Sequence, residues 1–135
     1  MTSYLLDTNH ASPLVTLHHP LRQRILQKLD DGDNFATCVP SITETLFGIS
    51  LLPRAKQNLV EWARLKPLLP CYIPDQTDGE MAAQLQVSLR QRGWQLETVD
   101  ALIAAIALRH DLILLTTDKD FRAVPQLQHE NWLTP

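Results

Sequence analysis

Thr98-Val99-Asp100-Ala101-Leu102-Ile103-Ala104-Ala105-Ile106-Ala107-Leu108-Arg109 is followed, after His110-Asp111, by Leu112-Ile113-Leu114-Leu115 and then by Thr116-Thr117-Asp118. The first run is apolar on most of its sides, the mark of a buried helix. The second is a short, continuous apolar run closed by polar turn residues, the mark of a strand covered on both faces. A buried helix feeding a buried strand belongs to a parallel α/β arrangement. Here it carries a carboxylate in its first turn, Asp100, and another just beyond the strand, Asp118.

The same grammar extends toward the N-terminus. Tyr4-Leu5-Leu6 reads as a first strand that stops at Asp7-Thr8-Asn9. Pro20 to Asp31 places Leu21, Ile25, Leu26 and Leu29 at helical spacing, and Asp30-Asp31-Gly32-Asp33 ends that helix. Phe35-Ala36-Thr37-Cys38-Val39 reads as a second strand closed by Pro40. Ser41 then suits the N-cap of a helix to about Leu51, with Glu44 at the position that completes a capping box. Pro53 can open a helix to Lys66. Cys71-Tyr72-Ile73 is a short strand, a helix from Thr77 to Arg92 ends at Gly93, and a last strand is expected near Asn131-Trp132-Leu133. Continuous apolar strands alternating with helices predict an α/β fold: a three-layer α/β/α sandwich around a parallel sheet of about five short strands.

The chain has 135 residues, 44% of them hydrophobic and 20% charged, a globular composition and one domain's length, so residues 1–135 are expected to form a single domain. No apolar run approaches the ~18 residues needed to span a bilayer. No leader pattern precedes Asp7, and the two cysteines, Cys38 and Cys71, cannot by themselves build a disulfide framework or a zinc site. A soluble cytoplasmic protein with reduced thiols is expected. No G-x-G-x-x-G or P-loop pattern occurs, no serine sits in a nucleophile elbow, and the five histidines lack metal-ligand spacing. His10 alone is close enough to the Asp7 turn to graze a site there.

Open parallel sheets bind ligands beyond the carboxyl ends of their strands. Asp7 follows the first strand, Glu44 the second, and Asp118 and Asp120 the fourth, while Asp100 opens the helix that feeds the fourth. If the strands are parallel, these acids converge at one edge. Each has a plainer reading. Asp7 can cap a turn, Glu44 can complete the capping box, Asp100 can serve the helix dipole, and Asp118 and Asp120 can be loop acids. The small neighbours Gly48, Ala104 and Ala107 leave room around Glu44 and Asp100. Several carboxylates held together are unfavourable without a cation, and Mg²⁺ or Mn²⁺ is the natural oxygen-bound partner. Such an ion can clamp a phosphodiester and activate a water.

Leu5-Leu6-Asp7-Thr8-Asn9, Glu44 with Gly48, Asp100-x-x-Ile103-Ala104-Ala105 and Thr116-Thr117-Asp118-Lys119-Asp120-Phe121, in that order, resemble a PIN domain across nearly the whole chain. More narrowly they resemble the VapC-type toxins of bacterial toxin–antitoxin pairs. Glu130-Asn131-Trp132-Leu133 and Pro20-Leu21-Arg22 are similar to a subgroup described as initiator-tRNA endonucleases. The resemblance implies a Mg²⁺-dependent endoribonuclease, with Mn²⁺ as a substitute. It implies Asp7, Glu44, Asp100 and Asp118 as the catalytic acids, and Asp7, Asp100 and Asp118 as the metal ligands. Thr8, Asn9 and Thr116 take supporting positions, and Asp120 matches an additional acid. It further implies an RNA substrate, possession of a small antitoxin partner, and a homodimer.

A net charge of −3 looks wrong for a nucleic-acid binder, but without these five acids it would be +2. Arg22, Arg24, Arg54, Lys56, Arg64, Lys66, Arg90, Arg92 and Lys119 are candidates to contact phosphate. Ile49, Leu51, Leu52, Leu59 and Trp62 are candidates for a dimer face, or else for covering the sheet. A different class, a non-catalytic RNA- or protein-binding module on the same fold, has no need of the acids. A phosphatase with Asp7 as nucleophile lacks the second acid two residues on.

Overall fold

The computed structural model describes residues 1–133. In chain order the elements are β1 (Ser3–Leu6), α1 (Thr8–Ala11), α2 (Pro20–Asp30), β2 (Asn34–Cys38), α3 (Val39–Ser50), α4 (Ala55–Leu65), β3 (Cys71–Tyr72), α5 (Gln76–Gln91), α6 (Thr98–Arg109), β4 (Ile113–Leu115) and β5 (His129–Glu130). Short 3-10 turns cover Ser12–Val15, Lys66–Leu68 and Lys119–Ala123. The strands form one five-stranded sheet in the order β3-β2-β1-β4-β5, with every pairing parallel.

The pleat of β1 sorts its side chains to opposite faces, as period-2 geometry requires. Leu5 joins a core with Leu89 of α5, the apolar face of α6, Leu114 and Phe121. Tyr4 and Leu6 join the opposite core with Leu21 and Ile25 of α2, Ile49 of α3, Trp62 and Leu65 of α4, and Leu115. Helices therefore cover both faces, and the expected three-layer α/β/α sandwich is what forms. Of the proposed dimer residues, Ile49 and Trp62 belong to this second core, whereas Leu51, Leu52 and Leu59 are exposed.

Three boundaries differ from the sequence reading, each for a local reason. Cys38 is extended (φ −140°, ψ 160°) and is itself the N-cap of α3, so Pro40 lies in the first turn, where a missing N–H is harmless. Ser41 is thus inside the helix rather than capping it; it is buried beside Cys38, whose thiol lies 3.5 Å from its hydroxyl. The last strand is at His129–Glu130, not 131–133, because the register opposite Leu114 and Leu115 is filled by those two residues. The helix expected from Pro53 starts at Ala55, after Arg54 turns through a left-handed conformation (φ 64°).

Two ion clusters tie the helices to one another. Arg22 donates to the Leu14 carbonyl (2.7 Å) and to Glu61 (2.7 Å), joining α2 to α4. Arg22 is therefore a structural cation and not a free phosphate ligand. At the far end of α6, Arg109 reaches Asp75 (2.7 Å) and the fully buried Asp78 (2.9 Å). Asp75 and Asp78 also form a reciprocal capping box at the start of α5. No helix among the described residues is long and apolar enough to cross a membrane.

Candidate metal and active site

Parallel pairing brings the carboxyl ends of β1, β2 and β4 to one edge, and the acids follow. Asp7 caps α1: its Oδ1 accepts from the Thr8 N–H at 2.9 Å. Its other oxygen, Oδ2, accepts from the Thr116 hydroxyl at 2.7 Å and from Asn9 Nδ2 at 3.3 Å. The capping and site readings of Asp7 thus coexist. Thr116 Oγ1 in turn accepts from the Asp118 N–H at 3.0 Å. Asp118 caps the following 3-10 turn by accepting from the Asp120 N–H at 2.8 Å. One hydroxyl therefore couples the ends of β1 and β4.

Glu44 does not complete a capping box, since α3 begins two residues before Ser41. Its Oε1 instead accepts from the Thr8 hydroxyl at 3.1 Å, which holds it against the Asp7 turn. Gly48, one turn on, faces open space: a methyl group there would meet nothing within 4 Å. Room beside Glu44 therefore does not depend on the missing side chain.

Asp100, Asp118 and Asp120 each offer a carboxylate oxygen within 4.8 Å of the others. That triad differs from the expected set of Asp7, Asp100 and Asp118. Asp120 stands in that group where Asp7 was expected, and both oxygens of Asp7 accept hydrogen bonds. Burial first, and then the charges of Asp7, Asp118, Glu44 and Asp120, push the Asp100 carboxyl up to about 7. Burial also raises Asp7, against the lowering effect of its hydrogen bonds from Thr116 and Thr8. None of the five acids has a lysine or arginine partner among the described residues. Crowded oxygen donors with no protein cation suit a hard divalent ion. Asp100, Asp118 and Asp120 could hold such an ion.

His10, which the sequence places close enough to the Asp7 turn to graze the site, reaches it through Asn9. It is fully buried, and burial drives its pKa down to about 4, so the ring is neutral. Its Nε2 accepts from the Trp132 N–H at 3.0 Å, which puts the proton on Nδ1, facing Asn9 Oδ1 at 2.7 Å. Asn9 Oδ1 also accepts from the Thr117 N–H at 3.1 Å. A chain of hydrogen bonds thus runs from the segment after β5 through His10 and Asn9 to Asp7. Trp132 is further held edge-on to Tyr4 and Phe35, under the Arg24 guanidinium at 3.8 Å.

The sequence matches the pattern of the PIN domain over residues 4–127, and the chain belongs to that family, whose members are generally nucleases using a divalent metal. Three solved structures illustrate the likeness. VapBC2 from Rickettsia felis, bound to a promoter DNA fragment, is 24% identical with a TM-score of 0.84, covering 97% of this chain and 99% of that one. FitAcB from Neisseria gonorrhoeae is 25% identical with a TM-score of 0.74, covering 95% and 96%. VapC20 from Mycobacterium tuberculosis, a Sarcin-Ricin loop cleaving toxin, is 17% identical with a TM-score of 0.66, covering 91% and 95%. No curated protein sequence matches the chain significantly.

Proposed function

We propose that this protein is a Mg²⁺-dependent endoribonuclease and the VapC-type toxin of a toxin–antitoxin pair, acting in the cytoplasm. The observation that carries the reading is the group of three carboxylates, Asp100, Asp118 and Asp120, with oxygens within 4.8 Å of one another and no ion-pair partner among the described residues. A bound Mg²⁺, or Mn²⁺ in its place, supplies Lewis-acid clamping of a phosphodiester and a more acidic water. Around it this chain's residues have distinct tasks. Asp100 and Asp118 would hold the ion, with Asp120 offering a third carboxylate and Asp7 alongside. Glu44, held by Thr8, orients the attacking water. Asn9 and Thr116 fix the Asp7 carboxylate. tRNA is the substrate favoured by the resemblance in the Trp132 region.

The partner reading is supported by the similar structures, which include complexes named for both members of such pairs. It is also supported by an apolar surface on α3, α4 and the turn between them, where Phe47, Leu51, Leu52, Leu59 and Val60 are exposed. This surface is assigned to protein contacts, antitoxin and second protomer together.

The test is direct. Purified protein incubated with total tRNA should cut it in Mg²⁺ or Mn²⁺ and stop in EDTA, and Asp100→Asn should abolish cutting without unfolding the protein. Undiminished cleavage by Asp100→Asn, or by wild type in EDTA, removes the acid cluster from the chemistry. Binding without any cleavage returns the chain to the binding-module reading.

A further inference from the structure

Next to the acid cluster, between the end of α5 and the start of α6, lies a cavity of about 530 Å³. Arg90, Trp94, Gln95, Glu97 and Thr98 line it, with Gln86 in its wall. Resting on the nuclease reading above, we infer that this cavity is a subsite for one unstacked nucleotide of the RNA, beside the phosphodiester to be cut.

Its position supports this. Glu97 and Thr98 lead directly into the turn that carries Asp100. The Trp94 indole N–H donates to the Asp120 carbonyl at 3.0 Å, so the ring is anchored to the turn holding two of the metal-site acids. Cavity and acids are thus parts of one continuous surface.

The cavity is also built rather than incidental. Gly93 takes φ +78°, a left-handed conformation that a side chain would strain, and ends α5. The Trp94 N–H then closes on the Leu89 carbonyl at 2.9 Å. Across the loop, Gln86 Nε2 donates to the Leu96 carbonyl (3.0 Å) and to the Thr98 hydroxyl (3.1 Å). The loop therefore keeps its shape without a ligand.

The chemistry of the lining fits a nucleotide. Unpaired RNA bases are held by aromatic or guanidinium planes and by hydrogen bonds to their edges. Trp94 offers the aromatic surface. Gln95 offers both donor and acceptor, and Glu97 an acceptor for a base amino group. Arg90 is exposed and has no ion-pair partner among the described residues, so its charge is available to the phosphate. The volume lies within the range usual for small-ligand sites.

Two measurements test the subsite. One is KM for cleavage of total tRNA in Mg²⁺. The other is Kd for fluorescein-labelled total tRNA on the inactive Asp100→Asn background. Trp94→Ala should raise both by about 5- to 150-fold, the span that a lost base–aromatic stack implies. Trp94→Phe should restore both to within a few-fold of wild type. Arg90→Gln should weaken binding and lower the salt dependence by about one counterion. In each variant kcat should change little, and the melting shift produced by Mg²⁺ should stay as in wild type, because no metal ligand is touched. A wild type that cuts tRNA while Trp94→Ala leaves KM and Kd unchanged overturns the subsite and spares the nuclease reading. A wild type that cuts no RNA overturns both. Variants that keep their RNA constants but lose inhibition by the antitoxin give the cavity to the protein partner and overturn the inference.

Discussion

Carboxylates gather at both ends of helix α6, and the two groups are built on opposite principles. At its last residue, Arg109 clamps Asp75 and the fully buried Asp78. The backbone N–H of Asp78 and the Arg109 guanidinium hold Asp75 below its ordinary pKa. At its first turn, Asp100 faces only other acids and is pushed up to about 7. A buried charge that serves the fold comes with its counterion. A carboxylate group left without one is a place where the cation is supplied from outside. The same residue type therefore reports two different jobs, and the difference lies in its neighbours.

The largest effect should separate the two groups by activity. Asp100→Asn should reduce RNA cleavage by about 100-fold or more, because the proposed ion site would lose one of its carboxylates. Asp78→Ala should leave the cleavage rate per folded molecule unchanged. It should instead destabilise the protein by about 2–4 kcal/mol, through a lost charge-assisted hydrogen bond and half of the capping box. Single-turnover rates beside urea unfolding curves check both halves. Similar activity losses in the two variants would break the contrast.

Next in size is the response to Mg²⁺. For an assumed millimolar Kd, 10 mM Mg²⁺ stabilises by about 1.4 kcal/mol, a rise of roughly 3–6 °C in Tm. Asp100→Asn should shrink this response and raise the metal-free Tm, since one repelling charge is gone. Asp78→Ala should lower Tm and keep the response.

Titration gives a smaller and more diagnostic difference. The folded pKa of Asp100 lies above its unfolded value of 3.8, so the folded state binds the extra proton. Its contribution should favour folding at low pH and be lost as pH rises from about 4 through about 7. Asp75 is shifted the other way, so its contribution is present above its unfolded pKa of 3.8 and fades as pH falls below it. Melting curves in EDTA should show Asp100→Asn removing the neutral-pH loss, while Asp75→Asn removes only acid sensitivity. Because Asp100 must lose its proton to bind an ion, apparent Mg²⁺ affinity should also climb as pH passes about 7.

The smallest effect concerns Gly48. Since a methyl group there meets nothing, Gly48→Ala should stabilise α3 by up to about 1 kcal/mol and leave cleavage intact. A large activity loss would mean that Glu44 needs that space.

Much of the acid-rich edge was legible before any coordinates. Runs such as Tyr4-Leu5-Leu6 and Leu112 to Leu115 are too continuously apolar for a one-sided strand, and parallel strands must end together. What failed to show was whatever depends on a distant or backbone partner. Ser41 looks like an N-cap because Ser-x-x-Glu is a local pattern, yet the extended backbone at Cys38 starts the helix earlier. The Asp75–Asp78 box uses aspartate where glutamate is usual, and its arginine lies 31 residues beyond Asp78. His10 was legible as a neighbour of the Asp7 turn but not as a buried link, because its partner, the N–H of residue 132, is 122 positions away. Asp120 joining the tightest acid group in place of Asp7 follows from a 3-10 turn that Asp118 itself caps.

The bond from Thr116 to Asp7 spans 109 positions of chain. At a synthesis rate of roughly 5–20 residues per second, about 5–20 s separate the emergence of its two ends. During that interval β1 can pair with β2, but it lacks β4, and Asp7 waits without the hydroxyl that holds it. Asp100 arrives late in that interval, and Asp118 and Asp120 just after it. On the nuclease reading, a chain still being made is therefore harmless to the RNA around the ribosome that makes it, and a truncated product ending before residue 116 is inert. On the same reading, the centre-strand position of β1 ties assembly of the acid site to a strand that follows it by more than a hundred positions.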